Sequence, residues 1–204
     1  MNQRPIMDAG PGLNFLSVNK QRLLFSTLGA LSVPEAVKAE ILRKSGHDKR
    51  FEVAGRVWAK LPERLMEILS DDVTDELSAA VHRISGVPIN QRTRSGKDLG
   101  ETMVIAHATV AAEAGEHVIV LIDDGGGCKA AATEARRLQR LNTLGAEVGS
   151  IRLINTVTVL ERAAGGEHIP DKNAMRDLYS RLRGLDDGSP PLDTTNLMNL
   201  HCWL

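Results

Sequence analysis

Asp8, Glu40, Glu101 and the adjacent pair Asp123 and Asp124 are the residues of this 204-residue chain whose types and settings could do chemistry. Each stands near the start or end of an expected element. Asp8 follows the short run Pro5-Ile6-Met7 and precedes the turn Ala9-Gly10-Pro11-Gly12. Asp123 and Asp124 follow the apolar run His117-Val118-Ile119-Val120-Leu121-Ile122 and precede three glycines. Glu40 falls in the second turn of a helix expected after Pro34. Glu101 heads a helix whose apolar positions Val104, Ile105, Ala108 and Ala112 share its face, an unusual place for a carboxylate. Carboxylates held together raise one another's pKa and need a countercharge, and hard oxygen ligands around an open centre suit Mg2+ or Mn2+. A metal follows if they converge. Taken singly, each acid also has a purely structural explanation. Asp8 could cap a turn, Glu40 could be solvated, Glu101 could face its own helix dipole, and Asp123-Asp124-Gly125 could be a turn.

The elements that must position these acids read as an α/β protein. Short strand-like runs alternate with longer helical patterns, the arrangement of parallel strands joined by crossover helices. Strands are expected at residues 5–7, 117–122 and 151–154. Helical patterns are expected over 13–28, from the start of a capping box at Ser32-Val33-Pro34-Glu35, over 74–84, from Asp98, over 128–144 and from Thr156. Residues 45–97 read as an extended polar, helical region with Val53, Val57, Trp58, Leu61, Leu65 and Ile68 on one buried stripe. Gly125, Gly126 and Gly127 read as a sharp turn beside the acids. In an open parallel sheet the ligand crevice lies outside the carboxyl ends of the strands. One sheet would therefore bring Asp8 and the Asp123–Asp124 pair to one edge, with Glu101 heading a helix that could open there.

Composition bounds the function. With 25 Lys and Arg against 26 Asp and Glu, the net charge is −1, so nucleic-acid affinity must come from the distribution of charge. The aromatics are few and scattered, which argues against a stacking platform for single strands. No apolar run approaches the roughly 20 residues that span a bilayer. The opening residues show no basic stretch followed by an apolar core, and Cys128 and Cys202 form no spaced framework, so a cytoplasmic, reduced setting is expected. Gly125-Gly126-Gly127-Cys128-Lys129 lacks the spacing and hydroxyl of a phosphate loop, and the six histidines show no zinc-ligand spacing. No nucleophile elbow is present.

Four motifs occur in order: Asp8-Ala9-Gly10-Pro11 after a strand; Val33-Pro34 with Glu40 six residues beyond the proline; Gly100-Glu101 with Ile105-Ala106; and Leu121-Ile122-Asp123-Asp124 with Lys129-Ala130-Ala131. Together they resemble the PIN-domain nucleases, the group that includes VapC-type toxins. Leu144-Gly145, Val148-Gly149-Ser150 and residues 151–160 resemble the closing strand and helix of the subgroup whose first motif reads D-A-G-P. The likeness covers residues 6–169, interrupted by 45–97. It implies a three-layer α/β/α fold with a mainly parallel central sheet, a nuclease domain over residues 1–170, and a C-terminal helix and tail over 171–204. It also implies that Asp8, Glu40, Glu101 and Asp124 are catalytic acids that bind Mg2+ or Mn2+, with Asp123 able to exchange roles with Asp124. Asp98, three residues before Glu101, is a further candidate. Asn14 stands as a polar neighbour where the family's hydroxyl is replaced by Gly10 and Pro11.

The reaction so implied is metal-dependent hydrolysis of an RNA phosphodiester. Phosphates need basic residues at the approach to an acidic pocket, and the candidates are Arg92, Arg94 and Lys97 before the Glu101 helix and Lys129, Arg136 and Arg137 after the acid pair. The resemblance further implies the toxin of a toxin-antitoxin pair, a homodimer, and a cognate antitoxin that blocks the acidic groove, with no membrane involved. Two alternatives stand beside it: a housekeeping nuclease without antitoxin, and a binding or scaffold protein of the same fold without turnover. A phosphotransfer receiver, which wants its acid pair early in the chain, is disfavoured.

Overall fold

The computed structural model describes residues 3–123, 125–185 and 189–203. Five strands, β1 (Ile6–Met7), β2 (Leu31–Pro34), β3 (Met66–Leu69), β4 (His117–Leu121) and β5 (Ser150–Ile154), form one sheet in the order β3-β2-β1-β4-β5. Every pairing is parallel, so the sheet is wholly rather than mainly parallel. Among the described residues ten α-helices connect and flank the strands: α1 (Ala9–Ser17), α2 (Gln21–Leu28), α3 (Glu35–His47), α4 (Glu52–Trp58), α5 (Asp75–Ser85), α6 (Ile89–Arg92), α7 (Leu99–Glu113), α8 (Gly125–Thr143), α9 (Thr156–Ala163) and α10 (Lys172–Arg183). No helix of the described residues is long and apolar enough to cross a membrane.

The central strand is the shortest. Successive side chains of a strand point to opposite faces, and Ile6 and Met7 are both fully buried, so helices cover the sheet on both sides. Burial of that kind is worth about 2–3 kcal/mol per large apolar side chain. It lets two residues, paired with β2 on one edge and β4 on the other, hold the middle of the sheet. The packing sorts the helices accordingly. α1, α3 and α4 lie against one another and α2 against α9, while α5 and α8 lie against α7, which also meets α3 around Gly100. Right-handed crossovers that run one way from β1 to β3 and the other way from β4 to β5 put these two sets on opposite faces.

The C-terminal residues belong to the same core. Met175, Leu178, Tyr179 and Leu182 of α10, and Leu197 beyond it, join the cluster that contains Ile6 and Val120. A second, smaller cluster of Leu77, Ala80, Val81, Ile89, Met103 and Ala106 fixes α5 and α6 to α7.

Four expectations are corrected. The capping box at Ser32 and Glu35 does not form, because Ser32 lies within β2 and its hydroxyl donates to Glu67 Oε2 at 2.9 Å. The start of α3 is capped from across the sheet instead. Asp71 Oδ2 accepts from Ala36 N at 2.7 Å, and Glu35 Oε2 accepts from Asp71 N at 3.1 Å. The single stripe over residues 45–97 breaks up: Val53, Val57 and Trp58 lie on α4, whereas Ile68 lies on the edge strand β3 and is exposed. The pattern over 13–28 is two helices parted at Asn19, whose φ of 56° lies in the left-handed region that Asn tolerates. Last, Gly125, Gly126 and Gly127 are the first turn of α8 and not a separate turn.

Candidate functional site

The strand order reverses at β1, whose neighbours β2 and β4 are entered by crossovers on opposite faces. Chains leaving β1 and β4 therefore diverge and open a crevice at their carboxyl ends. Asp8 leaves β1 there, its N–H still bonded to Leu121 O of β4 at 2.9 Å. Asp123 leaves β4 one residue beyond Ile122, whose N–H bonds to Ile154 O at 3.0 Å. A cavity of about 450 Å3 fills the crevice, and its lining includes Asp8, Glu40, Asp98, Glu101 and Asp123 with Lys44 as the one basic residue among those described. The acids on which the sequence reading rests thus converge, Asp124 excepted, which lies outside the described residues.

Asp8 is the most buried acid of the group, 8% exposed. It caps α1, accepting from Gly10 N at 3.5 Å. Burial first and the charge of Glu40 second push its carboxyl up to about 6, against the pull of the Ala9 and Gly10 amides and of Lys44. Glu40 is bound to Lys44 Nζ at 2.8 Å, one helical turn on. Its other oxygen packs against α7 at Gly100, where an added Cβ would come within 2.9 Å of Glu40 Oε2. Glu101 lies against the first turn of α8, and a Cβ on Gly127 would collide with Glu101 Oε1 and with Ile122 Cδ1. Glycine at this position is what lets the carboxylate sit there. Asp123 is held at both oxygens by the head of α9: Thr156 N donates to Oδ1 at 2.7 Å and Thr156 Oγ1 to Oδ2 at 2.6 Å. Asp98 takes a left-handed φ of 53° at the start of α7, and its carbonyl accepts from Thr102 N and Oγ1.

Asn14, 3% exposed, lines the cavity as expected of a polar neighbour of Asp8. The expected cations do not. Arg92 is buried, and its guanidinium donates to Thr102 Oγ1, to Ser95 O at 3.0 Å and to Lys97 O at 2.7 Å, so it builds the loop into α7 and offers nothing to a ligand. Arg94, Lys97 and Lys129 are exposed but none lines the cavity. Arg137 is tied to Glu134 and Glu113. Sequence reasoning missed Lys44, Thr156 and Tyr179. Lys44 was detectable as the residue four beyond Glu40 on one helix face. Thr156 follows β5 almost as directly as Asp8 follows β1. Tyr179 has no local signal. Its hydroxyl donates to Pro190 O at 2.7 Å, and burial raises its pKa, with Arg183 opposing and Asp123 adding.

The donors around the cavity are carboxylate oxygens, which suit a hard divalent cation. Among the described residues no three acids, imidazoles or thiols stand close enough to cage an ion by themselves. Mg2+ keeps several waters and takes only one or two carboxylates plus substrate oxygens, a demand that carboxylates such as these can meet. No family model, curated protein or solved structure matches the chain. The crevice is an acid-lined cavity at a topological switch point of the sheet, the place where open parallel sheets bind ligands.

Proposed function

We propose that this protein is a Mg2+- or Mn2+-dependent ribonuclease of the PIN kind. The observation that carries the reading is the convergence of Asp8, Glu40, Glu101 and Asp123 on one cavity that, among the described residues, holds a single and already paired cation. Asp8, Glu40 and Glu101, with the expected Asp124, are the residues that would hold the ion. Bound there, the ion would polarise a phosphoryl oxygen and supply an attacking water at neutral pH.

The chain's own residues prepare that site. Lys44 partly offsets Glu40 and favours the charged form of Asp8. Thr156 fixes the orientation of Asp123 through two hydrogen bonds, so this acid is held in place before any ligand arrives. Gly127 leaves the space that Glu101 occupies. The toxin role, the antitoxin and the homodimer belong to the proposal through the sequence resemblance alone.

Purified protein incubated with a mixed RNA pool tests the reading. Cutting is expected with Mg2+ or Mn2+, none with EDTA, and none with a folded Asp8→Asn, Glu101→Gln double variant. Absence of cutting by the folded wild-type protein with either metal overturns it. One observation favours a second reading, a PIN-like binding protein without turnover: Glu40 and Asp123 are already satisfied by Lys44 and Thr156. Such a protein would bind RNA in the same assay and leave it intact.

A further inference from the structure

The cations missing from the acid cavity stand next to it on α10. Arg176, Ser180 and Arg183 follow one another at four and three residues, which puts them on one face of the helix, and all three are exposed. They line a groove of about 440 Å3 closed by Tyr179, Gly184 and Leu192. Tyr179 also lines the acid cavity, as do Leu182 and Leu185, so the C-terminal end of α10 is the wall between the two. Among the described residues neither arginine forms an ion pair. Arg176 Nη1 donates to Asn173 Oδ1 at 3.0 Å and Arg183 Nε to Ser189 O at 3.4 Å, which leaves most donors of each guanidinium for a ligand.

Another exposed arginine groove, around Arg136 and Arg140, is placed differently. It lies in the second half of α8, which starts at the carboxyl edge of the sheet and runs back towards the amino edge, away from the cavity.

We infer that Arg176, Ser180 and Arg183 form a phosphate-binding groove that holds the RNA backbone beside the acid cavity, with Arg183 nearest the cavity and Arg176 further out. The inference rests on RNA being the ligand of the cavity. Guanidinium groups suit phosphate because they offer paired N–H donors and stay charged. Seven residues of α-helix separate the two arginines by about 10 Å along the axis, enough for each to meet a different phosphate. An acid-lined cavity repels a polyanion, and a cationic groove on its rim supplies the attraction without cancelling the charge that holds a metal.

Binding of a labelled single-stranded RNA oligonucleotide, followed by fluorescence polarisation in EDTA over a series of salt concentrations, tests this. The Arg176→Ala, Arg183→Ala pair is expected to weaken binding roughly tenfold at low salt and to flatten the slope of log K against log salt by about 1.4, or about 0.7 for each lost phosphate contact on a single strand. An Arg22→Ala, Arg140→Ala pair, equal in charge lost, should leave the slope unchanged. The single variants Arg176→Gln and Arg183→Gln, each expected to lose about half the slope change, decide the matter should the alanine pair not fold. Wild-type affinity and slope in the α10 variants overturn the groove, and they leave the ribonuclease reading standing when the wild-type protein still cuts RNA. Wild-type protein that neither binds nor cuts RNA overturns both.

Discussion

The two ends of α7 treat charge in opposite ways. At its tail, Glu113 and Glu134 face Arg83 and Arg137 in a closed square. Glu113 accepts from Arg83 Nη2 at 2.9 Å and from Arg137, while Glu134 accepts from Arg83 Nε at 3.2 Å and Arg137 Nε at 2.9 Å. Burial lowers the Arg137 pKa, but the bonds to Glu134 and Glu113 more than offset this and leave it raised. Two acids meet two arginines, and α5, α7 and α8 are tied together as a result. At its head, Glu101 shares a cavity with four further acids and one lysine. The first arrangement is complete within the chain. The second sets five acids against one lysine among the described residues, an excess of negative charge that a bound cation would balance, and the proposed function rests on that difference.

Asp8 offers the largest test of that contrast, because removing its charge should pull activity and stability in opposite directions. Burial pushes its carboxyl up to about 6 in the folded protein, above the ordinary carboxylate value of about 3.8. The folded state thus binds this proton more tightly than the unfolded chain. The stabilising contribution is fully present below about pH 4 and is lost as pH rises through about 6, a penalty on the order of 3 kcal/mol at pH 8. Asn keeps the cap on α1 and cannot ionise. In EDTA, Asp8→Asn is expected to melt about 5–10 °C above wild type at pH 8 and close to wild type at pH 4, while metal-dependent cutting falls at least about 100-fold. A melting difference that does not change with pH would mean that the cavity is as well compensated as the square.

Glu134 tests the other end. Its side chain is 5% exposed, whereas the arginines it holds are about a quarter to a third exposed. Glu134→Ala leaves both guanidinium groups to Glu113 alone. Breaking a buried pair costs about 3–5 kcal/mol, and partial exposure of the arginines reduces the expected loss to about 2 kcal/mol. Urea denaturation should show that loss, with cutting per folded molecule unchanged. A loss of cutting at constant stability would make the square part of the site.

Which parts of this contrast are legible in the sequence follows from the range of the interactions involved. Asp8 and Asp123 are legible because a strand-end acid at a switch point needs only the strand to be recognised, and residues 117–122 are an unmistakable apolar run. Glu101 is legible as a carboxylate heading a buried stripe. β3 is not, because Met66–Leu69 is an edge strand with one buried side chain and no alternation to betray it. The capping of α3 by Asp71 is invisible for a similar reason: spacing along the chain pointed to Ser32, and the cap came from the segment that follows the neighbouring strand β3. The cations failed most completely. Arg92 satisfies two carbonyls of its own loop and the Thr102 hydroxyl in α7, and nothing local connects α10 with acids that precede it by many residues. Charge that acts at a distance is decided by packing, and packing leaves little trace in local sequence.

Two glycines only two residues apart give the finest test of the same contrast. Both lie in the first turn of α8, where replacing Gly by Ala ordinarily stabilises a helix by up to about 1 kcal/mol. A Cβ on Gly125 meets nothing within 4 Å, so Gly125→Ala should show that gain in urea denaturation. A Cβ on Gly127 runs into Glu101 Oε1 and Ile122 Cδ1. Ile122 is fully buried and cannot retreat, so Gly127→Ala should cost about 1–3 kcal/mol as overpacking does and displace the Glu101 carboxylate, with cutting reduced at least about tenfold. Equal stabilisation by both substitutions would mean that Glu101 moves aside freely. An acid that moves freely is not held for a ligand, and the head of α7 would then differ from its tail only in its excess of acid over base among the described residues.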